Sequence, residues 1–240
     1  MGRREDSENA WRKAIDDAYE VFASYRRPGG LAVSPAENAE ALLADLTSAP
    51  LRDLTPQKLD NFAGSALYTV GSQLDYKHFL PRILELMVSA QGSGFDASLT
   101  ARKLDYAHFK SWPADEIATV RQVFRAAWPF VCYAPFTTQQ LPDLLVGNRI
   151  VGNEVFALLS QFEAVESDQS VMKLCRLVRA VLEMDERDFC WSQLTANDRV
   201  CLETWSRSEA VTRALFEGLD FVAGYDAWDV ELTLQLLERF

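Results

Sequence analysis

Asp75 and His78 stand three positions apart, and so do Asp105 and His108. Each pair sits inside a near-repeat, Leu74-Asp75-Tyr76-Lys77-His78-Phe79 and, thirty residues on, Leu104-Asp105-Tyr106-Ala107-His108-Phe109. Residues three apart share a helix face, so each copy could form a carboxylate–imidazole pair. Such parts can build a metal centre or an acid–base pair. The chain has 2 histidines, both in this repeat, and no third ligand stands at ligand spacing, which makes the metal signal weak. The plainer reading is a repeated packing motif in which Leu, Tyr and Phe fill the core and Asp caps a helix. Two aromatics in six residues favour packing, and a period near thirty fits duplication of a helical hairpin.

Other chemistry is absent from the pattern. There is no G-x-S-x-G, no H-E-x-x-H, no phosphate-binding glycine loop and no glycine-rich dinucleotide turn. Gly147-Asn148-Arg149-Ile150-Val151-Gly152 matches none of these and reads as a turn. Cys132, Cys175, Cys190 and Cys201 show no CxxC and lie in apolar contexts, where cysteine acts as a small hydrophobe. No catalytic set, no cofactor and no metal is expected. Free thiols predict a reducing, cytoplasmic setting.

The elements that would position these residues are helical. Trp11, Ile15, Ala18, Tyr19 and Phe22 recur at helical spacing from Ala10 to about Tyr25, with residues 1–9 expected to fray and no secretory leader among them. Ser34-Pro35 and Thr55-Pro56 read as helix starts, an N-cap followed by proline. The second of these helices runs through Leu59, Phe62 and Ala66 to Gly71. Pro81 is placed in the first turn of a buried helix reaching about Ala90, Leu99–Leu104 is a short helix, and Pro113 opens another with Ile117, Val120, Phe124 and Trp128 on its inner face. Five more follow by period: Glu154–Glu166, Ser170–Met184, Ala196–Trp205, Ser208–Leu219 and Ala227–Arg239, with Ser206 and Glu209 as a possible capping box. No strand pair is convincing. The predicted fold is all-α, antiparallel helical hairpins stacked as a bundle or short solenoid. The prolines and polar residues of 129–142 read as an extended connector. That divides the chain into an N-terminal helical domain (1–130), a connector (131–142) and an acidic C-terminal helical domain (143–240).

Charge is uneven. The chain carries 35 acidic and 24 basic side chains, a net charge of −11. Residues 1–150 hold 16 basic and 18 acidic side chains, a net of −2, and residues 151–240 hold 8 and 17, a net of −9. Phosphates repel that balance, which argues against nucleic acid and anionic membranes as partners and leaves a basic protein compatible. Two clusters concentrate the acid. One is Glu183 to Asp188 with Asp185, Glu186 and Asp188, followed by Phe189 and Trp191. The other is Asp220 and then Tyr225, Asp226, Trp228 and Asp229. Charge runs are usually solvated loop ends. In the second cluster, however, large aromatics alternate with carboxylates beside glycines, as in an interface that docks a cationic partner.

The stretches Leu51–Pro56, Tyr68–Gly71, Phe79-Leu80-Pro81-Arg82-Ile83-Leu84-Glu85-Leu86 and Trp112-Pro113-Ala114-Asp115-Glu116 resemble an uncharacterised family of bacterial cytoplasmic all-helical proteins, over about residues 14–130. The resemblance implies a helical fold and no transferable activity. Members often carry a small cysteine cluster after the first helix. Here residues 28–34 hold no cysteine, so a metal is not carried over.

Together these features predict a non-enzymatic protein-binding module, most concretely an acidic immunity- or antitoxin-type inhibitor of a basic bacterial toxin. Its contacts would be Asp220, Tyr225, Asp226, Trp228 and Asp229, with Asp185, Glu186 and Asp188 as a second patch. Two alternatives remain open at this point. One is a helical metal-dependent enzyme using Asp75, His78, Asp105 and His108. The other is a helical-repeat scaffold binding a peptide in a groove.

Overall fold

Helical period and capping chemistry translate directly into architecture. The computed structural model describes residues 2–34, 38–89, 93–134, 141–162, 164–185 and 191–238. Among them the chain is all-helical, with strand-like pairing limited to isolated bridges of Val33 and Ala66 to Val70. The helices are α1 (Gly2–Val21), α2 (Ala39–Leu46), α3 (Pro56–Ser65), α4 (Gln73–Leu86), α5 (Ala97–Tyr106), α6 (Ala114–Tyr133), α7 (Leu141–Val151), α8 (Val155–Leu159), α9 (Asp168–Leu182), α10 (Ala196–Ser206), α11 (Glu209–Gly218) and α12 (Tyr225–Glu238). They pack in contacting pairs: α1 on α6, α5 on α7, α6 on α7, and α9 against α10, α11 and α12. No described helix is long and apolar enough to cross a membrane.

The core is one connected cluster that runs from Trp11 and Phe22 through Phe62, Tyr76, Phe79, Phe124 and Trp128 to Leu174, Val211 and Val230. Each such side chain, fully buried, contributes about 1.5–3 kcal/mol. Several polar groups that enter the core are paired, whereas the buried Tyr76 and Thr100 hydroxyls and the Trp205 indole nitrogen have no hydrogen-bond partner among the described residues. Lys77 Nζ donates to Glu116 Oε2 at 2.6 Å and to Tyr25 Oη at 2.9 Å, while Tyr25 Oη donates to Glu116 Oε1 at 2.5 Å. The same ammonium lies 4.0 Å from the centroid of the Trp112 ring. Arg149 Nε on α7 donates to both carboxylate oxygens of Asp198, at 2.9 and 2.8 Å. Burial opposes ionisation of Asp198, but hydrogen bonds from Thr195 and Arg149 outweigh it and hold its carboxyl below the usual range.

Several elements depart from their sequence expectation. Residues 2–9 are helical rather than frayed, because Arg3 pairs with Glu166 and Ser7 is buried. α2 is capped by the Asn38 side chain, which accepts from Ala41 N, so Ser34 is not its cap, and Pro35 lies outside the described residues. α3 stops at Ser65 instead of Gly71. Leu67 turns left-handed (φ 71°), and 66–71 pair with the 32–34 segment through Gly71 N to Ala32 O and Ser34 N to Thr69 O. Pro81 sits deep inside α4, whose start is set earlier by a capping box of Ser72 and Asp75. α11 is capped by Ser208, and Ser206 is the buried end of α10.

The largest difference concerns the expected connector. Val131, Cys132 and Tyr133 are the last turn of α6, and Leu141 and Pro142 open α7; 135–140 lie outside the described residues. Pro129 removes a helix hydrogen bond, yet the helix continues because its end has tertiary partners. Trp128 Nε1 donates to Leu158 O at 2.7 Å, and Lys173 Nζ donates to the carbonyls of Val131 and Ala134, each at 2.5 Å. Gly147 to Val151 likewise form helix rather than a turn. Gly147 lets α7 approach α5, since a Cβ there would lie 2.9 Å from Ala97 O and 2.8 Å from the Phe124 ring. The turn comes one residue after Val151, at Gly152 (φ +92°).

Candidate functional site

The two copies of the near-repeat occupy opposite ends of their helices. In the first, Leu74 is exposed and Tyr76 is fully buried at the start of α4; in the second, Leu104 is fully buried and Tyr106 is exposed at the end of α5. A duplicated hairpin would bury the same positions in both copies, so the repeat is one of sequence only. Asp75 Oδ2 accepts from Ser72 N and Oγ, both at 2.7 Å, and thus caps α4. His78 Nδ1 lies 2.8 Å from Tyr25 O. Asp105 pairs loosely with Lys110 at 3.5 Å, and His108 is left-handed (φ 51°) just beyond α5. Neither copy contains an Asp–His hydrogen bond. Among the described residues no group of three or more His, Cys, Asp or Glu is arranged to hold a metal ion. Asp105 and His108 instead line an open groove of about 800 Å³ with Tyr106, Lys110 and Ser111.

The second acidic–aromatic cluster has a different character. α11 buries Val211, Ala214, Leu215 and Gly218, and a short 3-10 turn (Leu219–Phe221) leads to the left-handed Gly224 (φ +61°). α12 then starts at Tyr225, two residues earlier than the apolar period indicates. Its inner side is Val230, Thr233, Leu234 and Leu237. At 100° per residue, Tyr225, Trp228, Leu232 and Leu236 form a second stripe on the other side of the helix. Tyr225 is 74% exposed and Trp228 51% exposed, with their ring centroids 5.4 Å apart. Two apolar stripes on one helix explain why its apolar residues show no single preferred face.

The carboxylates around this pair are not equivalent. Asp220 and Asp226 are exposed. Asp229 is not: Arg179 Nη2 of α9 donates to Asp229 Oδ1 at 2.6 Å and to its carbonyl at 2.7 Å, and the side chain of Asp229 is 13% exposed. Arg179 Nε also donates to Thr233 Oγ1 at 2.8 Å, so α9 and α12 are clamped at two successive turns. Asp229 therefore serves packing, and the expectation of a docking role for it is replaced by a structural one. Asp185 is exposed beyond the end of α9, whereas Glu186 and Asp188 lie outside the described residues.

Two aromatics escaped the sequence reading. Phe216 is 55% exposed on α11 and Phe221 47% exposed in the turn that follows. A helical wheel of α11 places Phe216 well away from the buried stripe, and that signal was available. The charge pattern extends the same way. From Arg213 to Arg239 no basic residue interrupts Glu217, Asp220, Asp226, Asp229, Glu231 and Glu238. The α11–α12 segment thus carries four exposed aromatic rings on a stretch of sequence whose charged residues between Arg213 and Arg239 are all acidic.

Comparison with protein-family models, with curated proteins and with solved structures finds no match for this chain.

Proposed function

We propose that this chain is a non-enzymatic protein-binding module that docks a basic protein on the α11–α12 corner, most concretely an immunity- or antitoxin-type inhibitor of a basic bacterial toxin. The observation that carries the reading is the exposed Tyr225–Trp228 pair beside the exposed carboxylates of Asp220 and Asp226. Exposed rings of this size cost solvation in the free protein and repay it when a partner covers them. Carboxylates at the rim steer a cationic partner and raise its association rate. A basic toxin cleft that holds phosphates would accept such an anionic surface in their place.

The test is titration with the product of the adjacent gene at low and at high salt. Binding should weaken as salt rises. Trp228→Ala should cost about 2 kcal/mol of affinity or more, as for a central aromatic anchor. Asp220→Asn with Asp226→Asn should act mainly on the association rate. Binding that ignores all of these substitutions would remove the corner from consideration, and failure of any basic partner to bind would remove the inhibitor reading.

A further inference from the structure

A different surface carries an inference independent of that reading. Ala14 and Asp17 of α1 and Thr119, Arg121, Gln122 and Arg125 of α6 border a cleft of about 460 Å³. Arg121 and Arg125 are one helical turn apart, so their like charges repel. In a chain with 35 acidic and 24 basic side chains, neither forms an ion pair with a described carboxylate. The acid that lines the cleft, Asp17, pairs with Lys13 at 2.7 Å.

Instead of acids, neutral groups hold the two guanidiniums in place. Arg121 Nε donates to Val151 O at 2.8 Å, and a Cβ on the left-handed Gly152 would stand 3.0 Å from Arg121 Nη2. Arg125 Nη2 donates to Asn153 Oδ1 at 3.3 Å. Behind them, Asn153 Nδ2 donates to Arg121 O and to Asn148 Oδ1, and Asn148 Nδ2 donates to Phe124 O and Leu144 O. Both asparagines are buried, at 3% and 0% exposure. Burying two amides is costly unless their hydrogen bonds are made, and this network makes them while bracing the arginines. Carbonyl acceptors orient a guanidinium without cancelling its charge. The remaining N–H donors of two adjacent guanidiniums, with Thr119 and Gln122 beside them, match an oxyanion.

We infer that the cleft between α1 and α6 binds a small oxyanion, a phosphate or a carboxylate group, on Arg121 and Arg125. The net negative charge of the chain does not forbid this, because at about 0.1 M salt charges farther away than about 10 Å are largely screened.

The full chain, held at constant ionic strength with chloride, is titrated with inorganic phosphate and separately with citrate. Binding is followed by the melting temperature and by the Arg Nε–Hε NMR signals. A saturable change in either titration is expected. Arg125→Gln should raise its midpoint about tenfold or more, the loss expected for one charge-assisted hydrogen bond. Arg26→Gln, at an exposed arginine beyond α1, should leave it unchanged. Because Arg121 also supports the α7 end, Gln122→Glu is the second variant: it adds a repelling carboxylate without removing that support and should weaken binding too. Saturation by phosphate alone assigns a phosphate-bearing ligand, and saturation by citrate alone assigns a carboxylate. No saturable response to either anion, or the same midpoint in Arg125→Gln and Arg26→Gln, overturns the inference.

Discussion

Arg179 on α9 grips Asp229 on α12 twice, through the carboxylate at 2.6 Å and through the backbone carbonyl at 2.7 Å. Fifty residues of chain separate the two partners. The contact divides an apparently uniform acidic cluster into one carboxylate that holds the fold and others that face outward. Asp229→Ala is therefore expected to destabilise the protein by about 2 kcal/mol, since it strands a half-buried guanidinium. Asp226→Asn, at an exposed position, should change stability by no more than about 0.5 kcal/mol. Urea unfolding of the two variants checks this, and equal losses would mean the clamp is not as described.

Gly147 sets two effects against each other. In a helix interior, Gly→Ala ordinarily stabilises by about 1 kcal/mol. Here the new methyl would stand 2.9 Å from Ala97 O and 2.8 Å from the Phe124 ring. Overpacking of that kind costs about 1–3 kcal/mol, so Gly147→Ala should lower the melting temperature. An increase would show that α5 and α7 can separate at little cost.

Lys77 and Glu116 are 7% and 6% exposed in their side chains and lie 2.6 Å apart. Removing one partner leaves a buried charge, so Glu116→Ala should cost about 3–5 kcal/mol. The double variant Lys77→Met with Glu116→Leu should recover most of that loss. A double-mutant cycle measured by denaturant unfolding gives the coupling directly, and additive losses would contradict it.

Two lysines make stability depend on alkaline pH. Burial pushes Lys103 down to about 8, opposed by the nearby Asp60, and burial also brings Lys173 to about 8. Unfolded lysine titrates near 10.4. Between about pH 8 and pH 10 each lysine therefore holds its proton more firmly in the unfolded chain and contributes a rise in stability of about 1 kcal/mol per pH unit, while the thiols of Cys132 and Cys175, pushed up by burial, contribute in the opposite sense and largely offset it. Above about pH 10 stability falls, because burial raises the phenols of Tyr19 and Tyr76 while unfolded tyrosine ionises. Lys103→Met removes one lysine's contribution, so the variant's stability should fall relative to the parent by about 1 kcal/mol per pH unit between about pH 8 and pH 10. Melting temperatures of both proteins across this range test it, and an unchanged slope would remove Lys103 as its source.

The helices were legible because their causes are local. Trp11, Ile15, Ala18 and Phe22 at helical spacing, Pro56 and Pro113 at helix starts, and the apolar periods of α9 and α11 each act within a few residues. Where the reading failed, the deciding partner was distant. Pro129 looked like the end of a helix, and only Lys173 and Leu158 explain why α6 continues past it. Gly147 resembled a turn residue until the carbonyl of Ala97 showed what its missing side chain permits.

The candidate surfaces divide in the same way. Sequence alone determined that the last third of the chain is acidic and that Tyr225 and Trp228 alternate with carboxylates, because composition and order are properties of the chain itself. Only the tertiary structure decided that these rings face outward, that Asp229 belongs to Arg179, that the two histidine motifs take opposite environments, and that Arg121 and Arg125 share a cleft in which neither is paired with a described carboxylate. Exposure and charge neutralisation depend on which helices meet, and that is settled by packing between residues far apart in the chain.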